Sequence, residues 1–458
     1  MDTSTAPSDA GSARREGELD TKLRRTIGTG LLFLFVLGDM VGGGIYALVG
    51  EVGGEVGGAI WTAFAVSAVL AFLTALSYAE LTTKYPLAAG AALYAHKAFR
   101  THIVTFMVAF AVMMSGLTSA GALARAFAGD YFAEFLAWPE VPVALGLLAV
   151  ITLVNLWGIS QSVRINATFT LIEIAGLLLI VVIGVVAFGD PGSDVGRNFR
   201  FKEGTTPFFA IVAGVTLAFY ALIGFEDSAN VAEETRRPSR AFPRALIGGL
   251  LTASAIYILV SFMASMVVAT DKLANSSAPL LEVVKEGPLG IPPRLFSTIG
   301  LFALTNGALI NMIMGSRLLY GMANQRVLPR PFGTLLPGRR TPWVAILFTT
   351  AIVAVMVAFS DLEQLATTTV MLLLVVFVAV NVAVLVLRRD RVEHEHFRTW
   401  APLPVLAAAT SIFLITQNDA VTFLQAGILL AIGLVLWGVN RLVTGPPPND
   451  VRVEEISG

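Results

Sequence analysis

The sequence predicts an all-α integral membrane protein with twelve transmembrane helices, of which the first and the sixth are discontinuous. Three observations carry this prediction: the hydropathy of the chain, the placement of its basic residues, and two polar, glycine-containing interruptions of apolar segments. Of the 458 residues, 55% are hydrophobic and 14% are charged, and the mean hydropathy is +0.76. Soluble domains carry about 25% charged residues, so we expect most of this chain to lie in a lipid bilayer.

Apolar stretches of the length that crosses the hydrocarbon core of a bilayer, about 20 residues, recur along the whole chain. We predict twelve spans, at 27–49, 58–83, 92–124, 142–159, 165–188, 207–233, 241–270, 292–324, 342–359, 364–388, 401–417 and 420–441. Together we expect them to form one twelve-helix membrane domain, residues 27–443. Its predicted parts are a first repeat (27–188), a second repeat (207–388) and two final helices (401–443).

The basic residues predict the orientation of the chain in the membrane. Residues 1–26 are polar and lack the apolar core of a signal peptide, so we interpret them as a cytoplasmic tail, and residues 444–458 as a second one. With both tails in the cytoplasm, 24 of the 31 Lys and Arg residues lie on the cytoplasmic side, as the positive-inside rule requires. We therefore expect a multi-pass protein of the plasma membrane.

Several classes of protein and of site are excluded by what the sequence lacks. The chain has no cysteine, so we expect no structural disulfide, no thiolate metal site and no disulfide-linked subunit. The net charge is −1 and the basic residues cluster in loops, which argues against a nucleic-acid partner. We find no nucleophile–base pair and no metal constellation. An enzyme, a bound cofactor and a metal site are therefore not expected.

The first interruption lies in span one, where Gly42, Gly43 and Gly44 follow one another at membrane depth. Each glycine costs about 1 kcal/mol relative to alanine inside a helix, so we predict that the helix unwinds here. Free backbone groups are tolerated in a bilayer only where they line a cavity or are buried in protein. Asp39, an ionisable residue inside a membrane span, strengthens the prediction of a functional site.

The second interruption lies in span six, in the segment 219–230. It contains Gly224 and two adjacent carboxylates, Glu226 and Asp227, within an apolar span. Spans one and six occupy corresponding positions in two five-helix halves of opposite orientation. Discontinuous helices in matching positions of inverted repeats are a common design of secondary transporters.

Helix ends at the two interruptions predict a site for a zwitterion. The N–H groups at glycines 42–44 form a helix N-terminus, which attracts a carboxylate. Carbonyl groups near Met40 and Leu222 are available to an ammonium group, so we predict an amino acid as the substrate. Side-chain selection would fall to neighbouring aromatic residues and to spans three and eight. The predicted substrate-binding residues are Met40, Val41, Gly42, Gly43, Gly44, Ile45, Phe219, Tyr220, Leu222, Ile223, Gly224 and Phe225.

Four stretches, at residues 42–46, 77–90, 224–243 and 316–342, carry a family resemblance in their order and spacing. They resemble the Gly-x-Gly-Ile-Phe segment of helix one, the end of helix two, the Gly-Phe-Asp…Ala-Glu-Glu…Pro segment of helix six and the end of helix eight in amino acid permeases. Over residues 25–445 the chain is similar to the amino acid–polyamine–organocation superfamily. The resemblance implies a leucine-transporter-like fold, with helices 1–5 and 6–10 as inverted repeats, and alternating access.

The chain departs from this family at two of its acidic residues. Many proton-coupled relatives carry a lysine in helix five where this chain has Glu173, and a small or apolar residue where it has Asp39. Glu173 is a candidate carrier of the coupling proton, or a cation ligand together with oxygen donors of span eight, including Asn311. The predicted coupling or ion-binding residues are Asp39, Glu173, Glu226, Asp227, Thr305 and Asn306.

The sequence thus predicts a secondary active amino acid transporter, with proton coupling as the first interpretation. Exchange of amino acids or polyamines and sodium coupling stay open, because the acidic residues suit either a cationic substrate or a proton relay. A non-transporting amino acid receptor is a weaker alternative, since the tails are too short for a signalling domain. A channel would need a continuous polar pore, whereas the predicted spans contain isolated polar residues.

Overall fold

The computed structural model describes residues 26–87, 90–158 and 163–444, without the side chains of 163–167 and 444. The predicted tail residues 1–25 and 445–458 lie outside the described residues. The described part of the chain is helical and contains no β-strand, only two isolated bridges, Ile27 with Thr235 and Gly57 with Phe201. The predicted all-α class is therefore confirmed.

Sixteen α-helices, numbered α1 to α16 in chain order, make up the described part. They are α1 Thr29–Met40, α2 Gly44–Val56, α3 Ile60–Lys84, α4 Gly90–Phe99, α5 His102–Ala126, α6 Glu140–Trp157, α7 Val163–Ala187, α8 Pro207–Leu222, α9 Pro238–Val267, α10 Thr270–Ala274, α11 Pro279–Glu286, α12 Pro293–Asn324, α13 Trp343–Phe359, α14 Leu362–Leu387, α15 Pro402–Thr416 and α16 Ala420–Thr444. Five of them begin at a proline (α8, α9, α11, α12 and α15), whose missing N–H has no intrahelical acceptor at that position.

Among the described residues, nine helices are long and apolar enough to cross a membrane, and the number is ten if α1 and α2, which are bent by 44° at the break between them, are counted as one span. The predicted spans 342–359 and 401–417 correspond to α13 and α15, two shorter apolar helices of 17 and 15 residues. The protein is therefore a multi-pass membrane protein, and its helix ends lie within a few residues of most predicted bounds.

The predicted third span, 92–124, is wrong as a single helix. It consists of the short helix α4 and the long helix α5, separated at Arg100 and Thr101. Arg100 adopts a left-handed conformation with φ of +50°, which ends α4, and the polar Arg-Thr-His sequence marks the boundary. Only α5 belongs to the apolar span, whereas α4 packs against α5, α14 and the 3₁₀ segment Phe225–Val231.

The centre of the fold is the place where the two interrupted helices meet. Helix α1 packs against α7, α9 and the Phe225–Val231 segment, while α2 packs against α8. Helix α5 packs against α12 and α14 on the other side of the break. The two breaks therefore lie inside the helix bundle.

One face of the molecule, here called the lid face, is covered by α10 and α11. Helix α10 packs closely on α2, where a Cβ atom at Gly50 would collide with the Leu273 carbonyl. Lys272 forms ion pairs of 2.8 Å with both Glu282 and Glu286. The hydrogen bonds to Glu282 and Glu286 raise the pKa of Lys272 to about 12. The ion pairs join the two short helices into one cover.

The opposite face, here called the basic face, carries the start of α1 and the ends of α3 and α14. Glu80 near the end of α3 accepts two hydrogen bonds from the Arg388 guanidinium, at 3.0 and 2.8 Å, and one from the Thr399 N–H at 2.9 Å. Lys84 donates to the carbonyls of Leu387 and Asp390 at 2.6 Å. Helix α3 is thus bound firmly to the end of α14.

Candidate substrate-binding site

The first helix break exposes backbone N–H groups, as the glycine run predicts. Helix α1 ends at Met40 and α2 begins at Gly44, so only residues 41–43 are non-helical and Gly44 already belongs to α2. Among the described residues, the N–H groups of Gly42, Gly43 and Gly44 have no hydrogen-bond acceptor. The start of α2 is therefore a helix N-terminus with free donors.

Two of the three glycines of the first break, Gly43 and Gly44, are required for space rather than for an unusual backbone conformation. None of the three has a positive φ. A Cβ atom on Gly43 would lie 2.7 Å from side-chain atoms of both Leu123 and Leu304, and one on Gly44 would lie 2.9 Å from the Ala221 Cα. The neighbouring helices approach the backbone so closely that no side chain fits there.

The second break has a different local cause. Helix α8 ends at Leu222, Ile223 is extended, and Gly224 adopts φ of +110°, a conformation that favours glycine. A Cβ atom on Gly224 would lie 2.7 Å from the backbone oxygen of Asp39, so the two breaks touch. In the described residues, no N–H beyond α8 bonds to the carbonyls of its last turn, which leaves these acceptors available.

A cavity of about 90 Å³ lies between the two breaks. Helices α5, α12 and α14 close its other sides. It is lined by Gly38, Asp39, Met40, Gly42, Gly43, Gly44, Val112, Ser115, Gly116, Ser119, Leu123, Tyr220, Ala221, Ile223, Gly224, Glu226, Asp227, Asn306, Gly307, Ile310, Asn311, Thr369 and Leu373. The free N–H groups of one break and the free carbonyls of the other therefore border the same space.

Most of the residues that the sequence nominates line this cavity, but not all. Those in the lining are Asp39, Met40, Gly42, Gly43, Gly44, Tyr220, Ile223, Gly224, Glu226, Asp227 and Asn306. Those outside it are Val41, Ile45, Phe219, Leu222, Phe225, Glu173 and Thr305. The hydroxyl of Thr305 donates to the Leu301 carbonyl of its own helix at 2.7 Å.

The two nominated phenylalanines belong to the core rather than to the cavity. The rings of Phe219 and Phe225 lie 6.2 and 5.5 Å from the ring of Phe377 on α14. Phe225 also meets Tyr78 of α3 edge to face, at 5.9 Å between ring centroids. These contacts fix the segment that follows the second break, and they leave side-chain selection to other residues.

A polar network of side chains from α5, α8 and α12 borders the cavity and offers candidate contacts to a substrate side chain. The hydroxyl oxygens of Ser119 and Tyr220 lie 2.9 Å apart, and the Asn311 amide donates to the Ser119 hydroxyl at 3.2 Å. All three residues line the cavity. Ser115 and Ser119 share one face of α5 because they are four residues apart, and this spacing is the sequence signal that points to them.

The cavity is acidic. Asp39, Glu226 and Asp227 contribute carboxyl groups to its lining, and no Lys, Arg or His of the described residues lines it. The three groups lie close enough to interact electrostatically. Glu226 accepts a hydrogen bond from the Gly224 N–H at 2.9 Å, whereas Oδ2 of Asp39, here called its open oxygen, is buried without a partner among the described residues. The cavity lining thus contains a carboxylate oxygen without a hydrogen bond.

Glu173 lies one hydrogen bond away from the cavity. Its side chain is 1% exposed on α7, and one carboxyl oxygen accepts from the amide of Asn306 at 3.2 Å. The other oxygen is buried without a partner. Tyr46 donates its hydroxyl to the backbone oxygen of Glu173 at 2.7 Å, which holds α7 against α2. Asn306 is thus shared between Glu173 and the cavity lining.

Comparison with known proteins agrees with this architecture. Residues 27–438 match the family described as amino acid permease. The chain is 25% identical to the branched-chain amino acid permease BcaP of Bacillus subtilis, over 91% of this chain and 93% of that protein. It is 29% identical to cationic amino acid transporter 4 of Mus musculus, over 81% and 61% of the two chains, and 24% identical to the methylthioribose transporter of Bacillus subtilis, over 91% and 93%.

The family match covers most of the chain, including both helix breaks and the cavity between them. The relatives that align with nearly the full length are permeases or transporters. The protein is therefore a transporter rather than an enzyme. The chain belongs to the amino acid permease family, and amino acid transport is its function at the level that the family defines.

Proposed function

We propose that the protein is a secondary active transporter that moves amino acids across the plasma membrane by alternating access, with both termini in the cytoplasm. In this proposal twelve helices span the bilayer, and two inverted five-helix repeats begin at α1 and at α8. The matched breaks after Met40 and Leu222 support the repeat, since each ends a helix at the same cavity. Discontinuous helices at a repeat interface are the usual place of a transporter's substrate site.

The backbone carries the recognition of the amino acid in this proposal. The substrate carboxylate binds the N–H groups of Gly42, Gly43 and Gly44, and its ammonium group binds carbonyls at the ends of α1 and α8. The single observation that carries the assignment is the presence of these free donors and acceptors around one cavity. The Met40 carbonyl already accepts from the Tyr257 hydroxyl at 2.6 Å, so α8 supplies most of the free acceptors.

Proton coupling through Glu173 is the first choice for the driving force. Glu173 is buried, and no Lys or Arg of the described residues pairs with it. A carboxyl group in such surroundings is well suited to carry a proton. Asn306 links Glu173 to the cavity. Binding of the substrate and binding of the proton would therefore both affect the Asn306 side chain. Sodium coupling would instead use Glu173 with oxygen atoms of Thr305, Asn306 or Asn311.

A second candidate function is exchange of cationic substrates, such as basic amino acids or polyamines. The acidic lining of the cavity favours it, because Asp39, Glu226 and Asp227 face the substrate space without a basic residue among the described lining. A positively charged side chain would pair with the open oxygen of Asp39. Both candidate functions use the same backbone site. They differ in whether the carboxylates bind a proton or a positively charged group of the substrate.

Uptake into proteoliposomes tests the proposal. A labelled mixture of amino acids is supplied with and without an inward proton gradient, at equal sodium on both sides. Accumulation that the gradient stimulates is expected for a proton-coupled carrier. Clear exchange against preloaded amino acid without stimulation would identify an exchanger. Absence of both would exclude proton coupling and exchange of these amino acids, and the next substrates and ion tested would be polyamines and sodium.

Two variants locate the site and the coupling group. Gly43→Leu is expected to abolish binding and uptake, because its side chain would meet Leu123 and Leu304. Gly30→Leu, the same change in α1 where no atom lies within 4 Å of a Cβ, is the matched control. Glu173→Gln is expected to keep exchange and lose accumulation driven by the proton gradient. Full gradient-driven uptake by Glu173→Gln would exclude Glu173 as the coupling group.

A further inference from the structure

A second, larger cavity lies on the basic face, away from the substrate site. Its volume is about 650 Å³, and it opens between the first turns of α9 and residues 395–397 of the connection from α14 to α15. It is lined by Ser239, Arg240, Pro243, Arg244, Ile247, Gly248, Glu395, His396 and Phe397. None of these residues lines the central cavity, so the proposed transport cycle does not account for it.

The polar groups of this cavity are mainly cationic. Arg240 and Arg244 lie four residues apart on α9 and therefore share one helix face. Both side chains are exposed, and neither forms an ion pair with another described residue. His396 adds a third basic group, and Glu395 is the one carboxylate of the described lining, without an ion pair to either arginine. Within the described ranges, the two guanidinium groups thus have no counter-charge.

The remaining walls are apolar and lead along α9 toward the hydrocarbon. Pro243 lies between the two arginines, Ile247 and Gly248 follow them deeper into the helix, and Phe397 lies opposite on the connection. Gly248 has the ring of Phe33 of α1 as its neighbour, at 3.5 Å from the position of a Cβ. A cationic entrance above an apolar wall fits a ligand with an anionic head and an acyl chain.

We propose that this cavity binds the phosphate group of an anionic phospholipid in the leaflet at the basic face. Paired guanidinium groups match phosphate oxygens in charge and in geometry. The apolar wall then receives the first part of an acyl chain. The proposal requires that the chain spans a membrane, but it is independent of the substrate and of the coupling ion. A free phosphate anion shares the same recognition chemistry, so the experiment separates the two sources.

The test compares two double variants of the full-length protein. Arg240→Gln with Arg244→Gln removes both guanidinium groups of the cavity. Arg389→Gln with Arg391→Gln is the matched control, since both are exposed residues on the basic face outside the cavity lining. Binding of phosphatidylglycerol and of phosphatidylcholine to each purified protein is measured by native mass spectrometry, and binding of inorganic phosphate by calorimetry in detergent. Thermal unfolding checks that the variants remain folded.

We expect the cavity variant to bind phosphatidylglycerol about 25-fold more weakly than the parent, or about fivefold for each arginine. The control is expected to lose much less, and phosphatidylcholine binding is expected to be weak in all proteins. Phosphatidylglycerol binding that depends on the arginines, with no binding of inorganic phosphate, supports a lipid site. If inorganic phosphate binds and depends equally on the two arginines, the ligand is a soluble anion and the lipid assignment is wrong. If both double variants lose the same amount of phosphatidylglycerol affinity, the cavity is not the binding site.

Discussion

Buried carboxylates in two regions of the molecule have opposite surroundings. At the basic face, Glu80 is 2% exposed, and its two oxygens accept three hydrogen bonds from Arg388 and the Thr399 N–H. At the central cavity, one oxygen of Asp39 is buried and has no partner among the described residues. The two residues are chemically alike, but within the described part of the chain only Glu80 of the two has a counter-charge.

From this difference we infer that the charge of Glu80 stabilises the fold, whereas the charge of Asp39 is available to a ligand. Taking a carboxylate out of water costs several kcal/mol, which a well-placed cation and hydrogen bonds offset. Glu80 has these partners in every state that keeps α3 against α14. Asp39 lacks them, so a substrate amine, a cation or a proton can supply what the protein does not. Glu173 is intermediate, since one of its oxygens is bonded to Asn306 and the other is not.

The largest effect is expected from breaking the paired carboxylate. Glu80→Gln leaves the largely buried Arg388 side chain, which is 13% exposed, without its counter-charge, and removal of one partner from a buried pair costs up to about 3–5 kcal/mol of unfolding free energy. Chemical unfolding in detergent micelles measures the change. Glu393→Gln, at an exposed residue of the same face, is expected to stay within about 0.5 kcal/mol of the parent. If Glu80→Gln and Glu393→Gln were equally stable, Glu80 would not be a structural charge.

At Asp39, we expect a substitution to affect uptake strongly and stability little. Asp39→Asn removes a buried charge that has an unpaired oxygen, so the unfolding free energy should stay equal to that of the parent or rise. Uptake should fall about tenfold or more, which corresponds to about 1.4 kcal/mol of lost interaction. Parallel unfolding and uptake measurements on one preparation check both parts. A loss of stability as large as that of Glu80→Gln would show that Asp39 is structural.

A smaller effect is expected from the polar network of the cavity. Ser119→Ala removes the hydroxyl that joins Tyr220 to Asn311, and loss of one such hydrogen bond is worth about 1 kcal/mol. We expect the KM for uptake to rise about fivefold while maximal uptake changes little. Ser67→Ala is the matched control, because its buried hydroxyl donates to the Val215 carbonyl away from the cavity. Similar KM changes in both variants would argue against a role of Ser119 in binding.

The smallest effect is expected at the lid face, where the charges are paired but solvated. Lys272→Met breaks two ion pairs at a half-exposed side chain and should cost about 1 kcal/mol or less. Because the hydrogen bonds raise the pKa of Lys272 to about 12, its stabilising effect is complete below its ordinary pKa of 10.5 and is lost only as the pH rises through about 12.

The cost of Lys272→Met should therefore be the same at pH 7 and pH 9, as measured by unfolding at both values. A cost that disappears between these values would contradict the high pKa of this lysine. A cost as large as that of Glu80→Gln would show that the ion pairs of the lid are as strongly coupled to the fold as the pair at the basic face.

Much of the candidate site follows from the sequence, because its signals are local. Consecutive glycines in an apolar span predict the break after Met40, and Gly224 beside Glu226 and Asp227 predicts the second one. Glycine, proline and charged residues act on the backbone at their own positions, and hydropathy acts over about one helix length. The sequence therefore predicts the membrane class, the two breaks and about half of the residues that line the cavity.

Partners that are distant in the chain were decided by the tertiary structure. Glu80 meets Arg388 across 308 residues, and Ser119 meets Asn311 across 192. Phe219 and Phe225 turn toward Phe377 and away from the cavity, although they stand beside the break. No local pattern specifies these contacts, because they depend on which faces of which helices pack together.

The sequence by itself determined that this protein crosses a membrane, where its helices are interrupted, and that carboxylates lie at the interruptions. The tertiary structure decided which of these carboxylates has a partner. A buried charge has the same sequence signature whether it is paired or open. Its energy depends on atoms a few ångströms away, and those atoms are brought there by the packing of helices from other parts of the chain.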